Sequence, residues 1–372
     1  MAKLLLLDSF DHWDENDPYG KWGFGTDTLY WRVSASYGRH GAGIRINTGG
    51  TQPFDAANNN GNATLVQRKF FSGVSACIGV AFKLTEKPIP GNGWPFLQFL
   101  DSALQRFWLG AFDATQCAVW LLPSGRLRLV RGDFQSPTTL ETSTATFRRN
   151  VWHYLEFKLT VHQTTGSASV KLDGSTVINF SGGDTQSTDY TRIDGFRVGF
   201  NRSGAFNNRL VQLDDLYVTD GDFLGDIKVE ARRPTVDGFN QDWTPSAGTL
   251  NYDMVDDLTP DESSTYNSGG VGDIDTFVTQ DLVTTSGTVH GIQVCNYAHN
   301  LDFDDKTLQS VIRHSGSNFF GQAGTIGTHV IILNTARDYA YNLEGYLTDP
   351  GTSAEYTIPG FADDEYGYRR VS

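Results

Sequence analysis

The sequence has few cysteines and no long apolar run. Its three cysteines, Cys77, Cys117 and Cys295, are an odd number, lie far apart and include no CxxC pair. This pattern argues against a disulfide framework and a zinc finger, so we expect three free thiols. The N-terminal apolar run has only four leucines before Asp8. It is too short for the apolar region of a signal peptide or for a membrane span, so we expect synthesis in the cytoplasm and no membrane insertion.

Positive charge is also scarce. The chain has 29 Lys and Arg against 43 Asp and Glu, a formal net charge of −14, and its basic residues are scattered along the sequence. Surfaces that bind phosphate backbones or anionic membranes need clustered positive charge. We therefore expect no nucleic-acid partner.

Motifs that carry catalysis are missing as well. The eight histidines form no HExxH or paired-ligand spacing, and the sequence contains no GxSxG elbow and no phosphate-binding glycine loop. A glycosidase needs two carboxylates beside one bond, and Glu156 has no partner at such a spacing. The acidic stretches DENDP, LDFDDK and FADDEYG are typical of solvated turns. We therefore expect a protein that is not an enzyme and requires no cofactor.

Alternation of apolar and polar residues between turn signals dominates the chain, and helical periodicity is almost absent. Residues 96–132 and 152–180 each consist of strand-like runs separated by short polar turns, which is typical of antiparallel meanders. Gly and Pro become frequent around residues 219–238, and the strand pattern then restarts. We predict an all-β chain with one sandwich over residues 1–224 and a smaller one over residues 225–372, which includes a long acidic loop at about 243–277.

Aromatic residues are concentrated in and beside the first meander. Trp94, Trp108 and Trp120 stand there, and the strand-like runs of this region are apolar on both faces. Packing in a core or against another subunit accounts for such a pattern, and so does a platform on which sugar rings stack. Both interpretations stay open, and the three tryptophans are candidate glycan-binding residues.

One strand-like segment, VQLDDLYVTDG, contains two adjacent carboxylates. In a regular strand Asp214 and Asp215 point to opposite faces, so each face of the sheet would carry one of them. Burial of an unpartnered carboxylate is costly. One of the two therefore needs hydrogen-bond donors or a cation, and the other can face solvent at a sheet edge.

Several segments carry a family resemblance. The pieces LLLDSFD, YGRHGAGIRI, WLLPSGRLRLVRG and LDDLYVTDGDFLGD resemble the concanavalin A-like, laminin G-like jelly-roll domain of tailed-phage virion proteins. The pieces ARRPTVDGFNQDW and LTDPGTSAEYTIPGFADDEYGYRRV are similar to a C-terminal β-domain that accompanies it. The resemblance implies a concanavalin A-like β-sandwich, or jelly roll, followed by a second, smaller β-sandwich.

The same resemblance implies a function. It predicts a structural protein of a bacteriophage virion, as a capsid decoration or as part of the tail or its fibres, with other virion proteins as partners. A homo-oligomer is expected, with a trimer favoured at a symmetry axis or along a fibre. The alternative is a glycan-binding adhesin that contacts a glycan on the host surface.

In jelly rolls of this kind the first and last strands lie side by side. That arrangement would bring Asp8 close to Asp214 and Asp215. The three carboxylates are therefore candidate ligands of a structural calcium ion. The alternative is an acceptor role toward buried donors, with no metal.

Overall fold

The computed structural model describes residues 3–12, 31–47, 64–85, 89, 91, 93–101, 115–132, 136–199, 210–257, 261, 264–299, 306–321, 331–333 and 340–372. Over these ranges the chain is almost entirely strand and turn, so the predicted all-β class is confirmed. Internal contacts divide the chain into a first unit up to Val229 and a second unit from Glu230. Near the N-terminus, residues 8–10 group with the first unit and residues 3–7 and 11–12 with the second. The domain ranges 1–224 and 225–372 stay a prediction.

The strands up to residue 219 build two antiparallel sheets. In chain order they are β1 (Leu4–Asp8), β2 (Trp31–Ser34), β3 (Gly43–Asn47), β4 (Thr64–Gly73), β5 (Ser75–Leu84), β6 (Trp94–Leu100), β7 (Thr115–Leu121), β8 (Arg126–Arg131), β9 (Thr138–Thr146), β10 (His153–Thr160), β11 (Gly166–Leu172), β12 (Ser175–Gly183), β13 (Ile193–Gly199) and β14 (Leu210–Thr219). One sheet has the order β12-β11-β10-β5-β14-β3-β2, with β1 also paired to β14, and the other has the order β4-β13-β6-β7-β8-β9. The two predicted meanders are the runs β6 to β9 and β10 to β12.

The core of the first unit lies between these two sheets. Phe82 of β5 contacts Phe96 of β6 with ring centroids 5.1 Å apart, and Phe157 of β10 contacts Phe99 of β6 with centroids 5.0 Å apart. All four rings are buried. Burial of one phenylalanine contributes about 1.5–3 kcal/mol, so this aromatic layer is a main source of stability. The first unit is a β-sandwich, as predicted.

The second unit has one larger sheet and two small ones. Its elements in chain order are β15 (Pro234–Gln241), β16 (Thr244–Pro245), a 3-10 turn (Tyr252–Met254), β17 (Asn267–Ser268), β18 (Ile274–Thr279), β19 (Ile292–Ala298), β20 (Lys306–His314), β21 (Ser317–Phe320), β22 (Ile331–Leu333), β23 (Ala340–Tyr346), α1 (Ile358–Ala362) and β24 (Glu365–Arg370). The larger sheet has the order β15-β18-β24-β20-β21, with β22 also paired to β20, and the pairs β19-β23 and β16-β17 form the others. No helix within the described ranges is long and apolar enough to cross a membrane.

A second apolar core joins the β19-β23 pair to the larger sheet. Ile292 and Val294 of β19 pack with Ile312 of β20, and Tyr356 and Phe361 complete the cluster from the segment before β24. This arrangement makes the second unit a smaller sandwich. The segment between residues 349 and 364 therefore closes the core instead of crossing the surface as a free loop.

The predicted acidic loop at 243–277 contains β16, the 3-10 turn and β17, and β18 begins within it. Asp275 is fully buried and accepts hydrogen bonds from the Trp243 backbone N–H (3.0 Å) and from Asn251 Nδ2 (2.8 Å). Asp237 accepts the backbone N–H groups of Asn251 (3.2 Å) and Tyr252 (2.6 Å). Burial raises the pKa of Asp275 to about 6. These acidic side chains hold the excursion in place.

Candidate functional site

The adjacent aspartates of β14 lie at a β-bulge. The register of β14 against β5 shifts between Asp214 and Tyr217, and Asp215 has a φ of +50°. A bulge breaks the alternation of side chains between the two faces. The prediction that Asp214 and Asp215 point to opposite faces is therefore wrong. Both carboxylates contact Arg39.

Arg39 and its neighbour satisfy both carboxylates. Asp214 Oδ2 accepts the backbone N–H groups of Arg39 (2.6 Å) and His40 (2.9 Å). Asp215 Oδ2 accepts from the Arg39 guanidinium at 2.9 Å, and its Oδ1 accepts the Val229 N–H at 2.7 Å. The guanidinium also donates to Asp226 Oδ1 at 2.6 Å. This arrangement, which we call the Arg39 clamp, fastens the turn before β3 and the chain after β14 to the sheet.

Burial dominates the electrostatics of the clamp. It raises the pKa of Asp214 to about 7, with the neighbouring charge of Asp215 acting in the same direction and three backbone N–H donors acting against it. Burial also raises the pKa of Asp215, opposed by the Val229 N–H and by Arg39. Both carboxylates are fully buried. Their contacts are those of acceptors for protein donors.

The calcium hypothesis at Asp8, Asp214 and Asp215 is not supported by their geometry. Asp8 is buried, and its Oδ1 accepts the Phe10 N–H at 2.8 Å. Although β1 pairs with β14, these three residues are not a group whose ligand atoms converge within 4.8 Å. Calcium at this place stays a prediction, and the observed contacts fit the hydrogen-bonded alternative.

Trp94 and Trp120 do not form an open platform. Trp94 and Trp120 are 1% and 3% exposed, so neither ring presents a face on which a sugar could stack. Trp120 packs with Ala118 and Val130 in a cluster of its own. The interpretation of Trp94 and Trp120 as glycan-binding residues is corrected by this burial. Trp108 lies outside the described residues.

Glu156 is a buried acceptor within the first unit. Its Oε1 accepts hydrogen bonds from the Tyr217 hydroxyl and from the Gly225 N–H (2.8 Å), and the Tyr217 hydroxyl accepts the Leu224 N–H at 3.0 Å. Gly79 leaves room for the Tyr217 ring, because a Cβ at this position would overlap it. Glu156 and Tyr217 therefore fix the segment that follows β14.

The second unit contains a polar cluster that the sequence did not reveal. His314 ends β20, Asp364 stands directly before β24, and Asp349 lies in the turn after β23. Because Arg313 is the register partner of Glu365 in the antiparallel pair β20-β24, the same register sets His314 opposite Asp364. His314 Nδ1 lies 2.7 Å from Asp364 Oδ1 and 3.7 Å from Asp349 Oδ2. Among the described residues, this is the group of His, Cys, Asp and Glu side chains that converges closely enough to hold a metal ion.

The two carboxylates of this His314 cluster are buried. Asp364 is 2% exposed, and its Oδ2 has no hydrogen-bond partner. Burial raises the pKa of Asp364, while the hydrogen bond and charge of His314 lower it. The Tyr356 hydroxyl is buried without a hydrogen-bond partner, and burial together with the charges of Asp349 and Asp364 raises its pKa. The cluster therefore holds two carboxylates, an imidazole and a phenol at the margin of the second core.

A groove includes Tyr356 in its wall. It has a volume of about 330 Å³ and is lined by Thr285, Ser286, Gly287, Thr288, Glu355, Tyr356, Thr357, Ile358 and Pro359. The bridge between Val289 and Tyr356 holds the two sides of the groove together. The groove offers several hydroxyl groups and one carboxylate to a ligand.

The His314 cluster is not visible in the sequence because its members come from three distant segments. Asp364 belongs to the stretch FADDEYG, which was predicted to be a solvated turn, and its burial shows that this assignment is wrong for Asp364. The stretch DENDP and the acidic residues of LDFDDK lie outside the described residues. The only local signal was an acidic pair directly before a strand.

No family model matches the chain, and no curated protein matches it. Similar solved structures include the cellulose induced protein Cip1, 14% identical over 58% of this chain and 97% of its own, with a TM-score of 0.41. The alginate lyase Aly36B is 11% identical over 61% of this chain and 98% of its own, with a TM-score of 0.37. Domain 4 of AbnA, a GH43 extracellular arabinanase from Geobacillus stearothermophilus in complex with arabinotriose, is 15% identical over 59% of this chain and 93% of its own, with a TM-score of 0.38.

These similarities concern the β-sandwich fold alone. They nevertheless correct one expectation. The inference that the chain is not an enzyme is wrong as an exclusion, because an alginate lyase is among the structures it resembles. The lack of familiar sequence motifs does not remove catalysis from the functions open to such a sandwich.

Proposed function

We propose that this protein is a structural and attachment protein of a phage particle, in which the second unit makes contact with a neighbouring protein. The observation that carries the proposal is the apolar surface at one end of the larger sheet in the second unit. Val236 and Phe239 of β15 are 54% and 72% exposed, and Val278 of β18, the register partner of Val236, is also exposed. Exposed apolar patches on a folded protein mark contact surfaces.

The end strand itself supports this interpretation. β15 is the terminal strand in the order of its sheet. Natural sheets protect such strands with charged side chains, and β15 has one charged residue, Asp237, whose carboxylate is engaged by Asn251 and Tyr252. The Phe239 ring lies over the Arg313 guanidinium at 4.2 Å, which holds it in a defined position. An apolar ring held in a defined position on the end strand of a sheet suits a protein partner.

The first unit supports the proposal in another way. The buried carboxylates Asp214 and Asp215 accept hydrogen bonds from the Arg39 clamp and from Val229, and Glu156 Oε1 accepts the Gly225 N–H. A sandwich fixed in this manner is suited to act as a rigid module in a repeated assembly.

The test is incorporation of variants into particles. A chain carrying Val236→Ser and Phe239→Ser should fold with an unchanged circular dichroism spectrum and be at least about tenfold depleted in purified particles, as expected when central contact residues are lost. Val74→Ser is the matched control, because Val74 is exposed to a similar degree, 52%, in the first unit. Normal incorporation of the double variant would remove the proposed contact.

Glycan binding is a second candidate function, favoured by the groove that Tyr356 lines. Its threonine and serine hydroxyls and the Glu355 carboxylate are groups that hydrogen-bond to sugars. Glycan-array binding by the wild type that is lost in Glu355→Gln would support this role. The same samples should be checked for cleaved polysaccharide. Equal binding by both proteins would exclude the groove as the site.

A further inference from the structure

The His314 cluster has a geometry close to that of a metal centre. Ligand atoms about 2.0–2.2 Å from one ion in a tetrahedral or octahedral arrangement lie roughly 2.8–3.6 Å from each other. The distances from His314 Nδ1 to Asp364 Oδ1 and to Asp349 Oδ2 are 2.7 and 3.7 Å, which lie on either side of that range. Small side-chain rotations would bring all three atoms onto one ion.

The groups around the ligands are arranged to support them. Asp349 Oδ1 accepts the Gly351 N–H at 2.7 Å, and its Oδ2 accepts the Thr352 hydroxyl at 2.9 Å. Hydrogen bonds of this kind orient carboxylate ligands. A Cβ at Gly351 would lie 2.6 Å from His314 Cδ2, so glycine allows the turn to approach the imidazole.

An independent observation indicates that a ligand is needed. Asp364 is buried, and its Oδ2 accepts no hydrogen bond from any residue that the structure describes, although a buried carboxylate oxygen normally has a partner. The Tyr356 hydroxyl is also buried without a hydrogen-bond partner, and the charges of Asp349 and Asp364 act on it. A simple His–Asp hydrogen bond leaves both groups unsatisfied and places a second carboxylate close by. A dication would compensate for the charges of the two carboxylates.

The donor set indicates the kind of ion. Imidazole with two carboxylates suits first-row divalent metals such as Zn²⁺ or Mn²⁺, whereas Ca²⁺ takes six to eight oxygen ligands. We propose that His314, Asp349 and Asp364 bind one Zn²⁺- or Mn²⁺-class ion in the second unit. The ion fixes the segment between residues 349 and 364, which supplies one side of the groove that Tyr356 lines.

The test uses the full chain without a histidine tag, treated with EDTA and dialysed. Isothermal titration calorimetry with ZnCl₂ and MnCl₂ should show one site per chain, and CaCl₂ should bind more weakly. His314→Gln, Asp349→Asn and Asp364→Asn should each weaken binding by at least about tenfold. X-ray absorption of the zinc-loaded protein should show nitrogen and oxygen ligands.

A second His–Asp pair serves as the matched control. His153 Nδ1 lies 2.7 Å from Asp173 Oδ2, the same distance as in the His314 pair, but within the described part of the chain no third ligand converges there. His153→Gln should leave metal binding unchanged. Failure of the wild type to bind zinc or manganese at millimolar metal would overturn the proposal, and so would unchanged binding in both Asp349→Asn and His314→Gln. Asp349→Asn keeps the side-chain volume, so it decides the question even if Asp364→Asn fails to fold.

Discussion

Replacement of Arg39 by methionine tests the clamp on β14 directly. The substitution keeps most of the apolar stem and removes the guanidinium that contacts Asp215 Oδ2, Asp226 Oδ1 and the Ile227 carbonyl. Asp215 is fully buried, and loss of one partner of a buried ion pair costs about 3–5 kcal/mol. The raised pKa of Asp215 allows it to take up a proton in part, so we expect a loss near the lower end, about 3 kcal/mol.

The other contacts of Arg39 contribute less. The Asp226 carboxylate is half exposed, and ion pairs of that kind are worth about 0–1 kcal/mol. Asp226→Asn is therefore the matched control, since it removes one contact of the same guanidinium and leaves no buried charge without a partner. We expect its effect to be smaller than that of Arg39→Met by about 2 kcal/mol or more.

Urea unfolding and thermal melts measure both variants. For a unit of this size, 1 kcal/mol corresponds to about 2–4 °C, so Arg39→Met should lower the Tm by about 6–12 °C. A loss below about 1 kcal/mol in Arg39→Met would refute the reasoning, because it would place the Asp215 charge in contact with water. Equal effects of Arg39→Met and Asp226→Asn would refute it as well.

Three further outcomes are expected. In the folded state the pKa of Asp214 is raised from 3.8 to about 7. The protonated carboxyl therefore contributes its full share of stability below pH 3.8, and this share is lost as the pH rises to about 7. Asp214→Asn should flatten the change in Tm between pH 5 and pH 8. Gly79→Ala should destabilise the first unit by about 1–3 kcal/mol in urea unfolding, because its Cβ would overlap Tyr217, whereas Gly91→Ala has no atom within 4 Å and should have little effect. Asp214→Ala and Asp215→Ala should each cost about 1–3 kcal/mol in the same measurement, and negligible losses in both would contradict their role as acceptors for buried donors.

The fold class could be predicted because it depends on local patterns. Alternation and short polar turns located the meanders, and the turn at Asp173 and Gly174 has positive φ at both residues, as a hairpin with this sequence requires. The role of Trp120 could not be predicted, because its strand is apolar on both faces and only the folded chain shows that both are buried.

The sites depend on contacts between distant segments. Residues 211–217 alternate like a regular strand, and the bulge at Asp215 becomes visible only when Arg39, 176 residues earlier, is placed beside it. The His314 cluster joins residues separated by 35 and 50 positions, and its register is set by the pairing of β20 with β24. No spacing rule in the sequence connects such residues.

We propose that the chain belongs to a phage particle and is held there through the second unit. The most direct test of this proposal is mass spectrometry of purified particles combined with imaging at a resolution that shows individual strands. The account predicts a fixed number of copies per particle, with the β15 end of the larger sheet against a neighbouring protein. Absence of the chain from mature particles, or a β15 end that faces solvent in every copy, would contradict it.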